Sequence, residues 1–396
     1  MSDLELLFLV LAALYAWECT GWLRRGSVAF VTWLSGHWRV RQPGSLLGNQ
    51  RGGLIFLPPL PPLGGILTGT QLPLSISPDA VLAFVSSSIN PGWRPPQTGK
   101  LFRFDEIRTV EARGKNVLVN GGVLAHVGSP TFAGWLSREL RQLAKTSAAK
   151  REQAIKELVR GCFDHRAIES RWQEFQKRTA WIQTLANCVL IHLFLLSPLV
   201  LHRWGLRQSW PGLLAGLLAL TTATALLFRR AHKHFYPEAG EDRFTHFLTI
   251  LLAPATTARA NDILSRPLLE NFHPLAIAKR FCSEKDFREF ARQTLREIYH
   301  PALPLCPGND VLAQATERYA RALLRTTIEA FLAENGVAPE TLLTPPAPSD
   351  ESCRIYCPRC LAQFTITTGV CADCGGLELA PLDRPKPTPD LTPAKT

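Results

Sequence analysis

Four cysteines, Cys357, Cys360, Cys371 and Cys374, form two Cys-x-x-Cys pairs in the run CPRCLAQFTITTGVCADCGG. Each pair can aim two soft thiolates at one ion, and the pairs meet if the chain between them makes a hairpin. That chain suits a hairpin: Ala362, Phe364 and Ile366 alternate, and Gly369 can turn. Leu377 and Leu379 alternate again after Gly375-Gly376. Four thiolates close a tetrahedral shell and leave no open position, so the expected site is structural rather than catalytic. A closed all-sulfur shell suits Zn²⁺ best.

With these ligands the stretch 353–380 resembles a zinc ribbon. The gap between the pairs is ten residues, shorter than the usual spacing, and leaves a rubredoxin-like iron site as the alternative. Cys353 lies just outside and reads as a bystander. The other cysteines, Cys19, Cys162, Cys188, Cys282 and Cys306, are scattered. Scattered thiols are no disulfide framework and suit a reducing compartment. No phosphate-binding loop, dinucleotide fingerprint, nucleophile elbow or His-Glu-x-x-His motif occurs. His232 and His234 flank Lys233 and could be a metal pair, though basic residues after an apolar run are usually orientation signals. His192, inside an apolar run, is a functional candidate, with a neutral ring hydrogen-bonded to a neighbouring helix as the plainer reading.

The elements that would carry this chemistry begin with apolar segments. WIQTLANCVLIHLFLLSPLVL (181–201) and SWPGLLAGLLALTTATALLF (209–228) contain no Asp, Glu, Lys or Arg. Each is about one bilayer long. A short turn from His202 to Gln208 predicts an antiparallel hairpin, with Pro198 and Pro211 near its tip. Residues 4–23 predict a first span. A cleaved signal peptide would need a basic start and a small-residue cleavage site. Here the start is acidic and the run ends in Trp17 and Trp22, so a retained helix is expected. Residues 52–78 also lack charge, but Pro58, Pro59, Pro61 and Pro62 exclude a spanning helix and predict an extended or interfacial piece. Residues 244–258 are too short to span and contain Pro254, which predicts a buried or interfacial helix.

Basic residues flank one side of every span: Arg24 and Arg25, Lys177 and Arg178, then Arg229, Arg230 and Lys233. This predicts a cell-membrane protein with its N-terminus outside and the bulk of the chain, including the C-terminus, cytoplasmic. Only Arg203 and Arg207 in the short turn dissent.

The remaining chain divides by composition. Residues 39–147 predict a small α+β region, with strands in LFRFDEIRTVEA, KNVLVNGG and VLAHVGS. A helix follows, capped by Ser129 or Thr131, with Phe132, Trp135, Leu136, Leu140 and Leu143 on one face. Strands ending in a closing helix resemble, over 101–145, the end of a bacterial pleckstrin-homology-like domain. Residues 151–177 predict one amphipathic helix, and 240–336 a helical domain. In that domain Phe287, Phe290, Ala291, Leu295 and Ile298 share a face, as do Leu312, Ala315, Tyr319 and Leu323. A Pro-rich linker (338–352) leads to the ribbon, and 383–396 reads as a disordered tail.

The net charge of +11 is concentrated in residues 24–181, with 22 Lys and Arg against 10 Asp and Glu. The expected fold class is a mainly α-helical multi-pass membrane protein with three transmembrane helices, a small cytosolic α+β region, a helical domain and a C-terminal zinc ribbon. The expected function is a membrane-anchored binding or assembly module. Its partners would be membrane lipid and a protein docked on the cytosolic domains; its cofactor would be structural Zn²⁺. The alternatives are a membrane-embedded enzyme using His and carboxylate residues at the membrane face, or a membrane-tethered nucleic-acid binder. The second is weakened because the ribbon adds little positive charge beyond Arg354 and Arg359.

Overall fold

Short alternating strands bounded by turn residues build the N-terminal part, and long uniform apolar helices build the middle. The computed structural model describes residues 6, 9, 10, 13, 27–31, 38–41, 66–69, 74–85, 97–237, 239–300, 310–374 and 376–382. Most of the expected first span (4–23), most of 42–73 and the tail 383–396 lie outside the described residues. Of the span, residues 6, 9, 10 and 13 are helical. The described chain is mostly helical, with small antiparallel sheets. It divides into two compact units: residues 1–287 with 306–323, and residues 288–305 with 324–396. The stretch 240–336 is helical where described and is shared between them.

In the first unit, β1 (Ser27–Val31) pairs with β2 (Trp38–Arg41) and β3 (Ile66–Gly69). A second sheet joins β4 (Leu74–Ile76), β5 (Ala80–Val85) and β6 (Gln97–Arg103); a third joins β7 (Val110–Arg113), β8 (Asn116–Val119) and β9 (Gly122–His126). Helix α1 (Pro130–Lys145) closes the second and third sheets. Ser129 caps it by accepting the Phe132 N–H at 3.1 Å. Its apolar stripe of Phe132, Leu136, Leu140 and Leu143 buries against Val81, Val117, Val119 and Leu124. Arg151 is buried beside this core because its guanidinium donates to three backbone carbonyls, those of Leu143, Thr146 and Pro78.

The single amphipathic helix expected over 151–177 is two helices. Helix α2 (Ala148–Gly161) stops before Cys162, and α3 (His165–Ile191) starts behind Asp164. The Asp164 carboxylate accepts the N–H groups of Arg166 and Ala167, and Phe163 stacks on His273 with ring centroids 4.5 Å apart. A strong N-cap and an inserted ring break the helix where periodicity alone continues it.

Helix α3 then runs through the first of the two apolar segments. It passes through a π turn at His192–Leu196 into α4 (Ser197–Trp204). Pro198 has no N–H to offer, and the Ser197 hydroxyl takes up the His192 carbonyl at 2.7 Å. The expected turn of seven residues shrinks to Gly205 alone, held at φ +74°, a conformation open to glycine. Helix α5 (Leu206–Phe235) returns along α3. After it come α6 (Gly240–Leu252), the short α7 (Pro254–Thr257) and α8 (Ala260–Ser265), then α9 (Pro274–Phe281).

Helix α10 (Glu284–Tyr299) starts with the expected capping box: Ser283 accepts the Asp286 N–H at 3.1 Å and donates to its carboxylate at 2.9 Å. Phe287, Phe290, Ala291 and Leu295 are buried as the periodicity predicts. Helix α11 (Val311–Glu334) starts behind Asp310, which accepts the Leu312 and Ala313 N–H groups. Of its expected face, Tyr319 and Leu323 pack against the core of the sheets and α1, while Leu312 is half-buried and Ala315 exposed; Ala313, Thr316 and Glu317 are buried beside them. The Thr316 hydroxyl meets the Ser77 hydroxyl at 3.1 Å in the first unit. The helix ends at Gly336, φ +73°, with the Val337 N–H on the Leu332 carbonyl.

In the second unit, Phe290, Leu295, Ile328, Phe331 and Leu332 are buried, and the chain continues through α12 (Pro339–Leu342) to the cysteine-rich end. The expected linker 338–352 is fastened at its far end. Gln363 accepts the Ser349 N–H at 2.7 Å and donates to the Ala347 carbonyl at 2.8 Å.

Candidate metal centre

The last five strands are two residues each: β10 (Ile355–Tyr356), β11 (Gln363–Phe364), β12 (Val370–Cys371), β13 (Leu377–Glu378) and β14 (Ala380–Pro381). They form a sheet of order β11-β10-β14 and a separate β12-β13 pair. Strands this short bury little apolar surface, so the turns between them must be held in other ways. Cys357 and Cys360 sit on the turn after β10. There the Leu361 N–H reaches the Cys357 carbonyl at 2.8 Å, and the Cys357 N–H reaches the Ala362 carbonyl at 2.9 Å. Leu361 takes φ +61° to close the turn. Cys371 ends β12, and Cys374 follows on one 3₁₀ turn, with the Gly376 N–H on the Cys371 carbonyl at 2.9 Å. Gly376 needs its φ of +84°, as glycine allows.

These two turns bring all four sulfurs within 4.8 Å of one another. Cys360 Sγ lies 3.8 Å from Cys371 Sγ. A tetrahedral ion with Zn–S bonds of about 2.3 Å requires sulfur separations of roughly 3.8 Å, so the donor set fits such an ion. Cys357, Cys371 and Cys374 are buried, and Phe364, Leu377 and Leu379 pack around them. Burial first, then hydrogen bonding to neighbouring thiols, raises Cys374 and Cys371. At Cys357 burial also acts upward, but the backbone N–H groups of Cys360 and Arg359 bring the thiol below its ordinary value. The turn therefore favours a thiolate at its first sulfur before any ion arrives.

Cys353 is held apart, in a small cluster with Tyr356 and Leu382, and its sulfur lies 3.7 Å from the Ser349 hydroxyl. His232 and His234 do not come together. His232 is buried against Phe228 and Tyr236, while His234 reaches Glu174 at 2.9 Å on an exposed face. Residues two apart on a helix face different ways, so no shared ligation arises. His192 meets the Leu213 carbonyl at 3.0 Å across to α5 and packs on Gly216. It is an interhelical fastener. No family model, curated protein or solved structure matches this chain. The chemistry is therefore carried by the residues themselves: four converging sulfurs near the C-terminus and two long apolar helices.

One feature escapes sequence reading. In the first unit a cavity of about 220 Å³ collects Arg138, Arg171, Glu270, Asn271, Trp135 and Phe235. Arg171 donates to Asn271 at 2.9 Å, and the Ser129 hydroxyl donates to the buried Glu270 carboxylate. These residues spread from Ser129 to Asn271, and no local pattern links them.

Proposed function

We propose that this protein is an integral membrane anchor that presents cytosolic binding surfaces, one of them a structural zinc ribbon. The observation that carries the reading is the outer surface of the helical hairpin. Both helices are long and apolar enough to cross a bilayer, yet only 22% of each apolar window is buried within the fold. Ile191, Leu195 and Leu199 on one helix, and Leu214, Leu218 and Leu226 on the other, are exposed. A core helix would bury them. Exposed tryptophans bracket this surface: Trp181 at one end, Trp204 and Trp210 at the other. From 181 to 204 a helix rises about 35 Å, enough to set the indoles at the two interfaces of a bilayer.

The proposed orientation is supported by Lys177, Arg178, Arg229, Arg230 and Lys233, which flank the ends of the hairpin and favour the cytosolic side for the sheets before it and the chain after it. With a first span at 4–23 the N-terminus lies outside. A reducing cytosol keeps the four ribbon thiols available to Zn²⁺. Arg113→Cys and Thr367→Cys should then be protected from an impermeant maleimide in intact cells, and Arg207→Cys should react, with labelling read peptide by peptide. Reaction at position 367 without permeabilisation overturns the orientation. Purification in detergent, with identification of the protein that co-purifies, tests the assembly role; loss of that protein on replacing Cys374 would put the contact on the ribbon.

A further inference from the structure

The segment after α5 does something the sequence leaves open. Helix α6 runs back along α5: the His246 ring lies 6.1 Å from that of Phe228 and 6.1 Å from that of His232. Arg229 covers Phe247 at 5.6 Å. Further on, Ala258 packs with Val189 and Leu193 of the first apolar helix and with Leu217 and Leu220 of the second. Those four residues are near the middle of 181–201 and of 209–228. From 229 to about 219 is ten residues, or about 15 Å of helix, half of a hydrocarbon core of about 30 Å. The chain then turns back. Asn261 donates to Gln183 at 2.7 Å, and Tyr236 donates to the Leu264 carbonyl at 2.6 Å, level again with the end of α5.

We propose that residues 240–265 are a re-entrant membrane element, whose face of Phe244, Leu248 and Leu252 is covered by lipid acyl chains. The inference rests on reading α3–α5 as a membrane hairpin. Three features fit it. Phe244, Leu248 and Leu252 recur every fourth residue and are 64%, 37% and 76% exposed, on the same molecule as the exposed apolar surface of the hairpin. No Asp, Glu, Lys or Arg occurs from 244 to 258. The break at Pro254 lies where backbone carbonyls could not find water, and the Thr257 hydroxyl reaches the carbonyls of Ile250 and Ala253. The first charges after the turn, Arg259 and Asp262, are buried and pair at 3.3 Å. Paired charges turned away from lipid are the form in which ionisable groups persist at such depth.

The test uses the full chain in native membranes, with Leu252→Cys and Leu248→Cys, a span control at Leu218→Cys and an aqueous control at Gln153→Cys. Labelling by a membrane-permeant maleimide is read for each peptide by mass spectrometry. A thiol in hydrocarbon stays protonated, so positions 252 and 248 should react at least about 10-fold more slowly than 153 and recover that rate after denaturation. Leu252 is mostly exposed, so slow reaction there cannot come from burial in the fold. Rapid reaction at 252 and 248 with 218 protected overturns the re-entrant element alone. Rapid reaction at 218 as well overturns the membrane hairpin and this inference with it.

Discussion

Cys374 and Cys353 are both buried thiols near the C-terminus, but only Cys374 points at three other sulfurs. Metal analysis of the purified protein should give about one Zn²⁺ per chain, from one tetrahedral set. Cys374→Ser should abolish it, and Cys353→Ser should leave it intact. Structural zinc supplies on the order of 10 kcal/mol of folding free energy in small ribbons, so chelation should also release the strands 355–381 to rapid hydrogen exchange. The convergence of the four cysteines was legible because Cys-x-x-Cys encodes its own turn. The clasp of Gln363 on Ser349 was not, because an amide reaching back fourteen residues leaves no pattern. His273 shows a similar limit. Its Nδ1 caps α9 by accepting the Leu275 N–H at 3.2 Å, and burial pushes its pKa down to about 3. The unfolded chain binds that proton near pH 6.5, so the neutral buried ring contributes stability above that pH which is lost as pH falls toward 3. His273→Asn keeps a capping side chain and removes the titration. Its thermal unfolding midpoint in detergent should fall less between pH 7 and pH 4.5 than that of the wild type; parallel curves would show that His273 does not titrate with unfolding.

Beside their apolar contacts, the two apolar helices meet at one small and polar point. A Cβ on Gly216 would stand 3.2 Å from His192 Cε1, whereas one on Gly212 would meet nothing within 4 Å. Gly216→Leu should therefore push the helices apart at the fastener and cost about 1–3 kcal/mol, as overpacking does. Gly212→Ala should be neutral or slightly stabilising, because alanine is the better helix former. Unfolding of both variants in detergent checks the contrast, and equal loss would show that His192 does not hold the pair. The existence of both helices was plain in the sequence, since uniform apolarity over twenty residues has few other meanings. The π turn and the polar contact at the start of α11 were not. The π turn is closed locally by the Ser197 hydroxyl beside Pro198, whereas the α11 contact needs Ser77, far off in the chain, to meet Thr316. Periodicity averages over a face and cannot register a contact made by a single hydrogen bond.

At the scale of the whole chain, capping explains how much of the helical boundary pattern could be read in advance. Ser129, Ser283, Asp310 and Gly336 each announce a helix end by local chemistry, and each stands at one in the structure. The partition into two compact units was not readable, because it depends on which distant faces find each other. The turn at Gly205 has a consequence for how such a chain is made. With Trp204 and Leu206 both helical, there is no loop in which the polypeptide could pause between the two apolar helices. On the membrane reading, the first helix cannot settle with its far end across the bilayer until the second has left the ribosome to accompany it. Arg203 and Arg207 must cross together as the only charged side chains at the tip. In chains lacking residues 1–23, so that no earlier span holds the membrane, those arrested shortly after residue 205 should remain extractable by alkali, and those long enough to release Phe235 should resist extraction. Insertion of the hairpin would thus proceed in one committed step, timed by translation of α5.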